Sequence, residues 1–301
     1  MTARLRVGLV GGGPWARDVH APALAAHDDF ELAGVWTRRP AVATALAEVH
    51  GAVPFDDVDA MIAAVDVVAC CVPPEVQAPV AGRAARAGRH IILEKPIAGS
   101  LAGAEALVAD VDAAGVASII ALVLRYASET RDWLANVHAA GPWAGGNARW
   151  ISGKLLDRDA PPTPWRHAAG AIADIGPHTF DVVDAALGPI VEVAGASRSE
   201  GDLWHVILRH DGGATSSVTL SLKTPVNPSI VEIDVYGGAG RCALSARRTP
   251  PRAAYATMLD ELAVMIRSST TVHPCDVHRG LHLQRVIERA RELAGQDPRS
   301  L

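Results

Sequence analysis

The chain has 301 residues, 49% of them hydrophobic and 20% charged, with a formal net charge of -5. This is the make-up of a globular chain long enough for two domains. The charges are mixed in sign with no basic stripe, which argues against a nucleic-acid partner. No run approaches the ~18 consecutive apolar residues of a membrane span.

The N-terminal MTARLRVGLVGGGP combines arginines with a short apolar run. It ends in a glycine turn without a small-residue cleavage pattern, so it reads as a first strand and not as a signal peptide. Leu5–Val10 is that strand, followed by a turn and a helix near Pro14–Ala26. Strand Glu31–Trp36, helix Ala41–His50, strand Val65–Val72 and helix Glu75–Ala87 follow, then strand His90–Leu93, helix Leu101–Ala114 and strand Ser118–Leu124. Continuous apolar strands alternating with helices predict a parallel sheet covered on both faces, a doubly wound domain over 1–122.

The pattern then changes. A helix near Ser128–Ala139 leads to a strand over Gly145–Lys154, a Pro-rich stretch (APPTPWRH) and a helix over Pro177–Leu187. Strands are expected near Val191–Ser197, Leu203–His210, Ala214–Leu222, Ser229–Tyr236 and Arg241–Leu244, with His210-Asp211-Gly212-Gly213 as a hairpin turn. Helices over Ala253–Ser268 and Asp276–Ala294 close the chain. Successive strands without helices between them imply an antiparallel sheet, hence an α+β second domain over 123–301. The cysteines, Cys70, Cys71, Cys242 and Cys275, show no CxxC or Cys/His metal spacing. They read as reduced thiols of a cytoplasmic chain with no metal site, Cys70 and Cys71 facing opposite sides of their strand.

Gly11-Gly12-Gly13-Pro14-Trp15-Ala16 fits G-x-G-x-x-A between a strand and a helix. Gly11 suits the tight turn, Gly13 the approach of a pyrophosphate, and Ala16 close helix–sheet packing; the helix N-terminus then faces the phosphates. Pro14 suits the first helical turn. The expected cofactor is NAD or NADP. The end of the second strand normally carries an acidic residue for the ribose of NAD; here it reads Trp36-Thr37-Arg38-Arg39. Thr37, Arg38 and Arg39 suit a 2′-phosphate, which makes NADP the preferred cofactor; the alternative is that both arginines simply face solvent.

Only three of the 28 basic residues are lysines. One of them, Lys95, sits in Glu94-Lys95-Pro96 directly after a strand, where a doubly wound sheet binds its ligands. A half-buried lysine there can donate a proton, which arginine cannot. In the second half, Asp174 and His178 are four residues apart around a helix start marked by Pro177. His178 can accept a hydroxyl proton as hydride leaves, and Asp181 lies on the same helical face, able to orient the imidazole. A helix cap for Asp174 and a satisfied core position for His178 are the plain alternatives.

In combination, VGLVGGGPWARDVHAPAL, GRHIILEKPIAGS, LRYASE, WRHAAGAIADIGPHTFD and DVHRGLHLQRVIERA make the chain resemble the glucose–fructose oxidoreductase / inositol dehydrogenase / rhizopine-catabolism (Gfo/Idh/MocA) family along nearly its whole length. The resemblance implies a Rossmann domain followed by a domain with an open, mainly antiparallel sheet. It implies Lys95, Asp174 and His178 as the catalytic set, with Pro73 and Glu94 beside the cofactor and Arg125 toward a substrate. Trp165 and Arg166, just upstream of Asp174, read as lining the substrate pocket, with core packing an equal alternative for the tryptophan. That substrate is expected to be a sugar or polyol, oxidised at a secondary alcohol or reduced at the matching ketone. A homodimer or homotetramer, paired through the exposed sheet face, is also implied. A catalytically silent NAD(P)-binding regulator and an NAD-dependent glycosidase are alternatives on the same fold. The chain departs from the family pattern at Gln77, where histidine is frequent, and at Ala169-Gly170-Ala171, where glycines usually precede the aspartate.

Overall fold

A computed structural model describes residues 3–157, 164–245 and 248–295. Two compact units emerge, one of Met1–Val123 with Pro250–His282, the other of Leu124–Thr249 with Leu283–Leu301. Residues 250–282 thus pack with the first unit.

The first unit is built on β1 (Leu5–Val10), β2 (Phe30–Trp36), β3 (Val53–Phe55), β4 (Val67–Cys70), β5 (His90–Leu93) and β6 (Ser118–Ile120). They form one parallel sheet in the order β3-β2-β1-β4-β5-β6. The order reverses between β1 and β4, so a crevice opens beyond their carboxyl ends, where doubly wound sheets bind ligands. The covering helices are α1 (Ala21–Ala26), α2 (Pro40–His50), α3 (Val58–Ala63), α4 (Pro74–Arg86) and α5 (Leu101–Ala114). β3 and α3 were not legible in the sequence. β3 is a three-residue edge strand containing Pro54, which only an edge tolerates. α3 is one short run whose start is set by the Asp57 side chain accepting from the Asp59 N–H at 2.9 Å.

The helix expected over Pro14–Ala26 is interrupted. Ala16–His20 forms a π-turn before α1 begins. A π-turn repeats at i+5, so Trp15 and His20 come onto one face, which a regular α-helix would not allow.

α6 (Ser128–Ala140) and β7 (Trp143–Ile151) open the second unit, and α7 (Pro164–Asp174) and α8 (Gly176–Leu187) follow. β8 (Ile190–Ser199), β9 (Leu203–His210), β10 (Thr215–Ser221), β11 (Ile230–Gly237) and β12 (Gly240–Leu244) complete a sheet ordered β12-β11-β7-β10-β9-β8. Every pair is antiparallel except β7 with β10. The hairpin at Asp211–Gly213 forms as expected, with Gly212 and Gly213 at φ 88 and 91. α7 was missed because Gly170, at φ 73, breaks it internally and obscures its pattern. Part of the Pro-rich stretch before it, 160–163, lies outside the described residues.

α9 (Pro251–Arg267) returns to the first unit, burying Ala254, Tyr255, Met258, Leu259 and Leu262 beside the π-turn and α1. Each such large side chain contributes about 1.5–3 kcal/mol relative to exposure. Arg252 reaches the Pro22 carbonyl, and Arg267 pairs with Asp29. The amphipathic pattern showed that this helix needs a surface, not which one. The last helix is α10 (Val277–Gly295). No helix among the described residues is long and apolar enough to cross a membrane.

Candidate active site

In the first unit the carboxyl ends of β1, β4 and β5 carry the expected cofactor residues. Gly11 has φ 126, and a Cβ there would lie 2.2 Å from the Cys71 carbonyl oxygen, so only glycine fits. Gly13 is the opposite case: a Cβ would meet no atom within 4 Å. The backbone there faces open space of the kind a pyrophosphate needs, so the turn fits a dinucleotide. Ala16 is fully buried, as close helix packing on the sheet demands. Pro14 and Trp15 form the first helical residues.

Beyond β2 the Thr37 hydroxyl donates to the Arg39 carbonyl at 2.7 Å and accepts the Arg39 N–H at 3.1 Å, shaping the turn into α2. Arg38 and Arg39 are exposed, and no carboxylate among the described residues pairs with either. Pro73 precedes α4 and Pro74 occupies its first turn.

The 94–97 segment at the end of β5 is held from two sides. The Gln77 Nε2 donates to the carbonyls of Glu94 (2.7 Å), Pro96 (3.1 Å) and Ile97 (3.2 Å), and its Oε1 accepts the Glu94 N–H (2.8 Å). On the other side, Trp15 Nε1 and His20 Nε2 each lie 2.8 Å from the same Glu94 oxygen, Oε1. The π-turn makes this double contact possible. Tyr255 Oη sits 2.9 Å from His20 Nδ1. Burial, with nearby Glu94, Cys71 and Cys70, pushes the Tyr255 hydroxyl well above its usual range. Tyr255 thus keeps its proton; the His20 tautomer that donates Nε2–H to the Glu94 carboxylate leaves Nδ1 to accept the Tyr255 hydroxyl. Lys95, half-buried, lies inside this bracketed segment.

Cys70, the last residue of β4, is fully buried and its thiol is pushed up to about 12 by burial, whereas Cys71, just past the strand, is half-buried. Donor atoms of His20, Cys71 and Glu94 lie within 4.8 Å of one another, a grouping no sequence spacing announced. Trp15 and Tyr255 already engage this group through hydrogen bonds.

In the second unit Asp174 ends α7 and His178 lies in the first turn of α8, both buried. Asp174 is not the cap of α8: Ile175 holds that position, without a side-chain cap. Arg166 Nε is 3.5 Å from Asp174 Oδ1, and its guanidinium lies over the Trp165 ring at 5.4 Å. The His178 ring stacks on Trp150 at 6.0 Å. Asp181, fully buried, accepts from Arg125 at 3.3 Å, so part of Arg125, expected to face a substrate, is engaged within the unit.

Asp202 had no role in the sequence reading. Its buried carboxylate accepts the Ala171 N–H just after the Gly170 break, Trp204 Nε1–H at 2.9 Å and Arg198 Nε–H at 3.0 Å. A side chain 31 residues away thus starts the second half of α7 and sets where Asp174 falls. Gln77, His20 and Tyr255 were likewise unassigned. Only Gln77 had left a signal, as a departure from a family pattern.

Residues 5–121 match the family model described as "Oxidoreductase family, NAD-binding Rossmann fold", and residues 144–243 match the "GFO/IDH/MocA C-terminal domain". The chain is 26% identical to the inositol 2-dehydrogenase of Rhizobium meliloti over 271 residues, 81% of this chain and 76% of that one. Among solved structures it resembles GenD2 from gentamicin A biosynthesis in complex with NAD (TM-score 0.84, 21% identity, 98% and 95% covered). It also resembles KijD10, a 3-ketoreductase from Actinomadura kijaniata in complex with NADP (TM-score 0.79, 20% identity, 97% and 98% covered).

Proposed function

The chain belongs to the Gfo/Idh/MocA oxidoreductase family, an NAD(P)-dependent enzyme acting on CH–OH groups, and on that footing we propose that it moves a hydride between NADP and a secondary alcohol or ketone of a sugar or polyol. The observation that carries the reading is the glycine turn with open space at Gly13, on the same edge of the sheet as the bracketed Lys95 segment.

Bound nicotinamide supplies the hydride acceptor, or the donor in reverse. Gly11, Gly13, Pro14, Trp15 and Ala16 form its turn, with Pro73 and Glu94 beside it. His178 takes the hydroxyl proton on oxidation and returns it on reduction. Lys95 donates a hydrogen bond to the reacting oxygen and stabilises its charge. Asp174, paired with Arg166, positions a neighbouring substrate hydroxyl. Arg125, Trp165 and Arg166 hold the substrate; the fork of Arg166 beside Asp174 and the Trp165 ring suits a polyhydroxylated molecule.

Exposed Arg38 and Arg39 without carboxylate partners support NADP over NAD. Thermal-shift titration checks this: a larger shift with NAD would overturn the preference. Incubation with NADP or NAD and a panel of sugars, polyols and keto sugars tests the reaction itself. Absence of turnover in both directions would defeat it. The sheet of the second unit leaves Val191, Ile207 and Tyr236 exposed, which supports pairing of copies through that face. Light scattering behind size exclusion decides: a monomer at micromolar concentration would refute the pairing.

A further inference from the structure

We propose that Gln77 is the positioning residue for Lys95, a reading that rests on the role given to Lys95 above. Gln77 is fully buried in the first turns of α4. Its single amide bonds the backbone on both sides of Lys95: N–H and C=O of residue 94 before it, C=O of residues 96 and 97 after it. Three carbonyls converge on one nitrogen, so the 94–97 segment curls around the amide, with Lys95 the one residue of the four that it does not bond through its backbone.

The chemistry suits the task. A primary amide offers two N–H donors and one acceptor on one rigid plane. It carries no net charge, so it sets the backbone without placing an ion beside the lysine. Neither leucine nor glutamate reproduces this. Leucine leaves three carbonyls and one N–H without partners, and a glutamate carboxylate faces the carbonyls with oxygens. Histidine retains one donor and one acceptor and is the conservative replacement.

The economy of lysine makes the test direct, because Lys154 and Lys223 are the only other lysines to follow beside Lys95 under an amine-directed acylating reagent. Labelling of the full chain, read by peptide mass spectrometry, follows Lys95 relative to these two. Gln77→Leu is expected to raise the relative rate at Lys95 several-fold as the segment is released, with Gln77→His restoring it. NADP affinity, carried mainly by the glycine turn, is expected to change little. Gln77→Glu keeps the side-chain volume and the acceptor while losing the donors, and serves if the leucine variant does not fold. Relative rates that stay equal in every folded variant would overturn the proposal.

Turnover supplies the second readout. A misplacement of about 1 Å costs on the order of 10²-fold in kcat, so Gln77→Leu is expected to lower kcat by about that factor with KM little changed. In a Lys95→Met background the same change is expected to add nothing, since it acts only through Lys95. Losses that multiply would refute the positioning role while leaving that of Lys95 intact. Full activity of Lys95→Met would instead refute the reading of Lys95.

Discussion

The two units keep their chemistry-bearing residues in place by different means. Around Lys95 the holding groups are amide, indole, imidazole and phenol: Gln77, Trp15, His20 and Tyr255, with Glu94 the one carboxylate. Around Asp174 and His178 the holders are charged pairs, Arg166 with Asp174, Arg125 with Asp181, and Asp202 with Arg198. The difference teaches where each unit is vulnerable. A clamp built of hydrogen bonds is sensitive to lost donors and acceptors. A buried pair is sensitive to loss of one partner, which leaves a charge uncompensated.

The largest expected effect tests whether the units share the chemistry. Lys95→Met in the first and His178→Asn in the second should each lower kcat by roughly 10²–10⁴-fold, the range for a lost proton-handling group, with NADP binding retained in both. Steady-state kinetics beside a fluorescence titration reads the two quantities. If only one variant loses activity, the division of labour is wrong.

Next is Asp202→Ala. Three donors lose their acceptor at about 1 kcal/mol each, so stability should fall by about 3 kcal/mol. Urea unfolding measures it, and a change within about 0.5 kcal/mol, ordinary for a surface site, would show that the Gly170 break does not depend on this carboxylate.

Gly11 and Gly13 then separate structure from binding within one turn. Gly11→Ala combines strained φ with overlap on the Cys71 carbonyl and should cost at least about 2 kcal/mol of stability. Gly13→Ala meets nothing, so it should fold normally and weaken NADP by about tenfold, near 1.4 kcal/mol. Equal stability losses in the two would contradict the open space at Gly13.

A further effect, seen only in acid, is a pH dependence confined to the second unit. Burial opposes the charge of Glu129, but the Thr249 hydroxyl and the backbone N–H groups of Glu129, Thr249 and Arg248 outweigh it and hold the carboxyl at about 2, against an ordinary value of 4.5. A folded value below the unfolded one stabilises the fold fully above about 4.5, and this stabilisation is lost as pH falls from there through about 2. Glu129→Gln should flatten the acid limb of stability in that window. An unchanged limb would place the acid sensitivity elsewhere.

Much of the first unit was legible because its signals are local. Each apolar strand, its following turn and its helix lie within a short stretch, and Gly11–Ala16 and Glu94–Pro96 stand at the strand ends where a doubly wound sheet uses them. The strands of the second unit were legible too, through alternation and the glycine hairpin. α7 was not, because it depends on Gly170 and on an aspartate 31 residues beyond its second half. Nor was the return of α9 to the first unit: an apolar helix face declares that it must be buried and carries no address.

By itself the sequence determined the strand–turn–helix order, the glycine turn and the residue types able to handle a proton, since propensity and periodicity are properties of neighbouring residues. The tertiary structure alone decided how those residues are held. The π-turn brings Trp15 and His20 onto Glu94, α9 delivers Tyr255, and α4 places Gln77 inside the segment that carries Lys95. Such contacts join positions 17 to 235 residues apart, and only packing of the folded elements selects them.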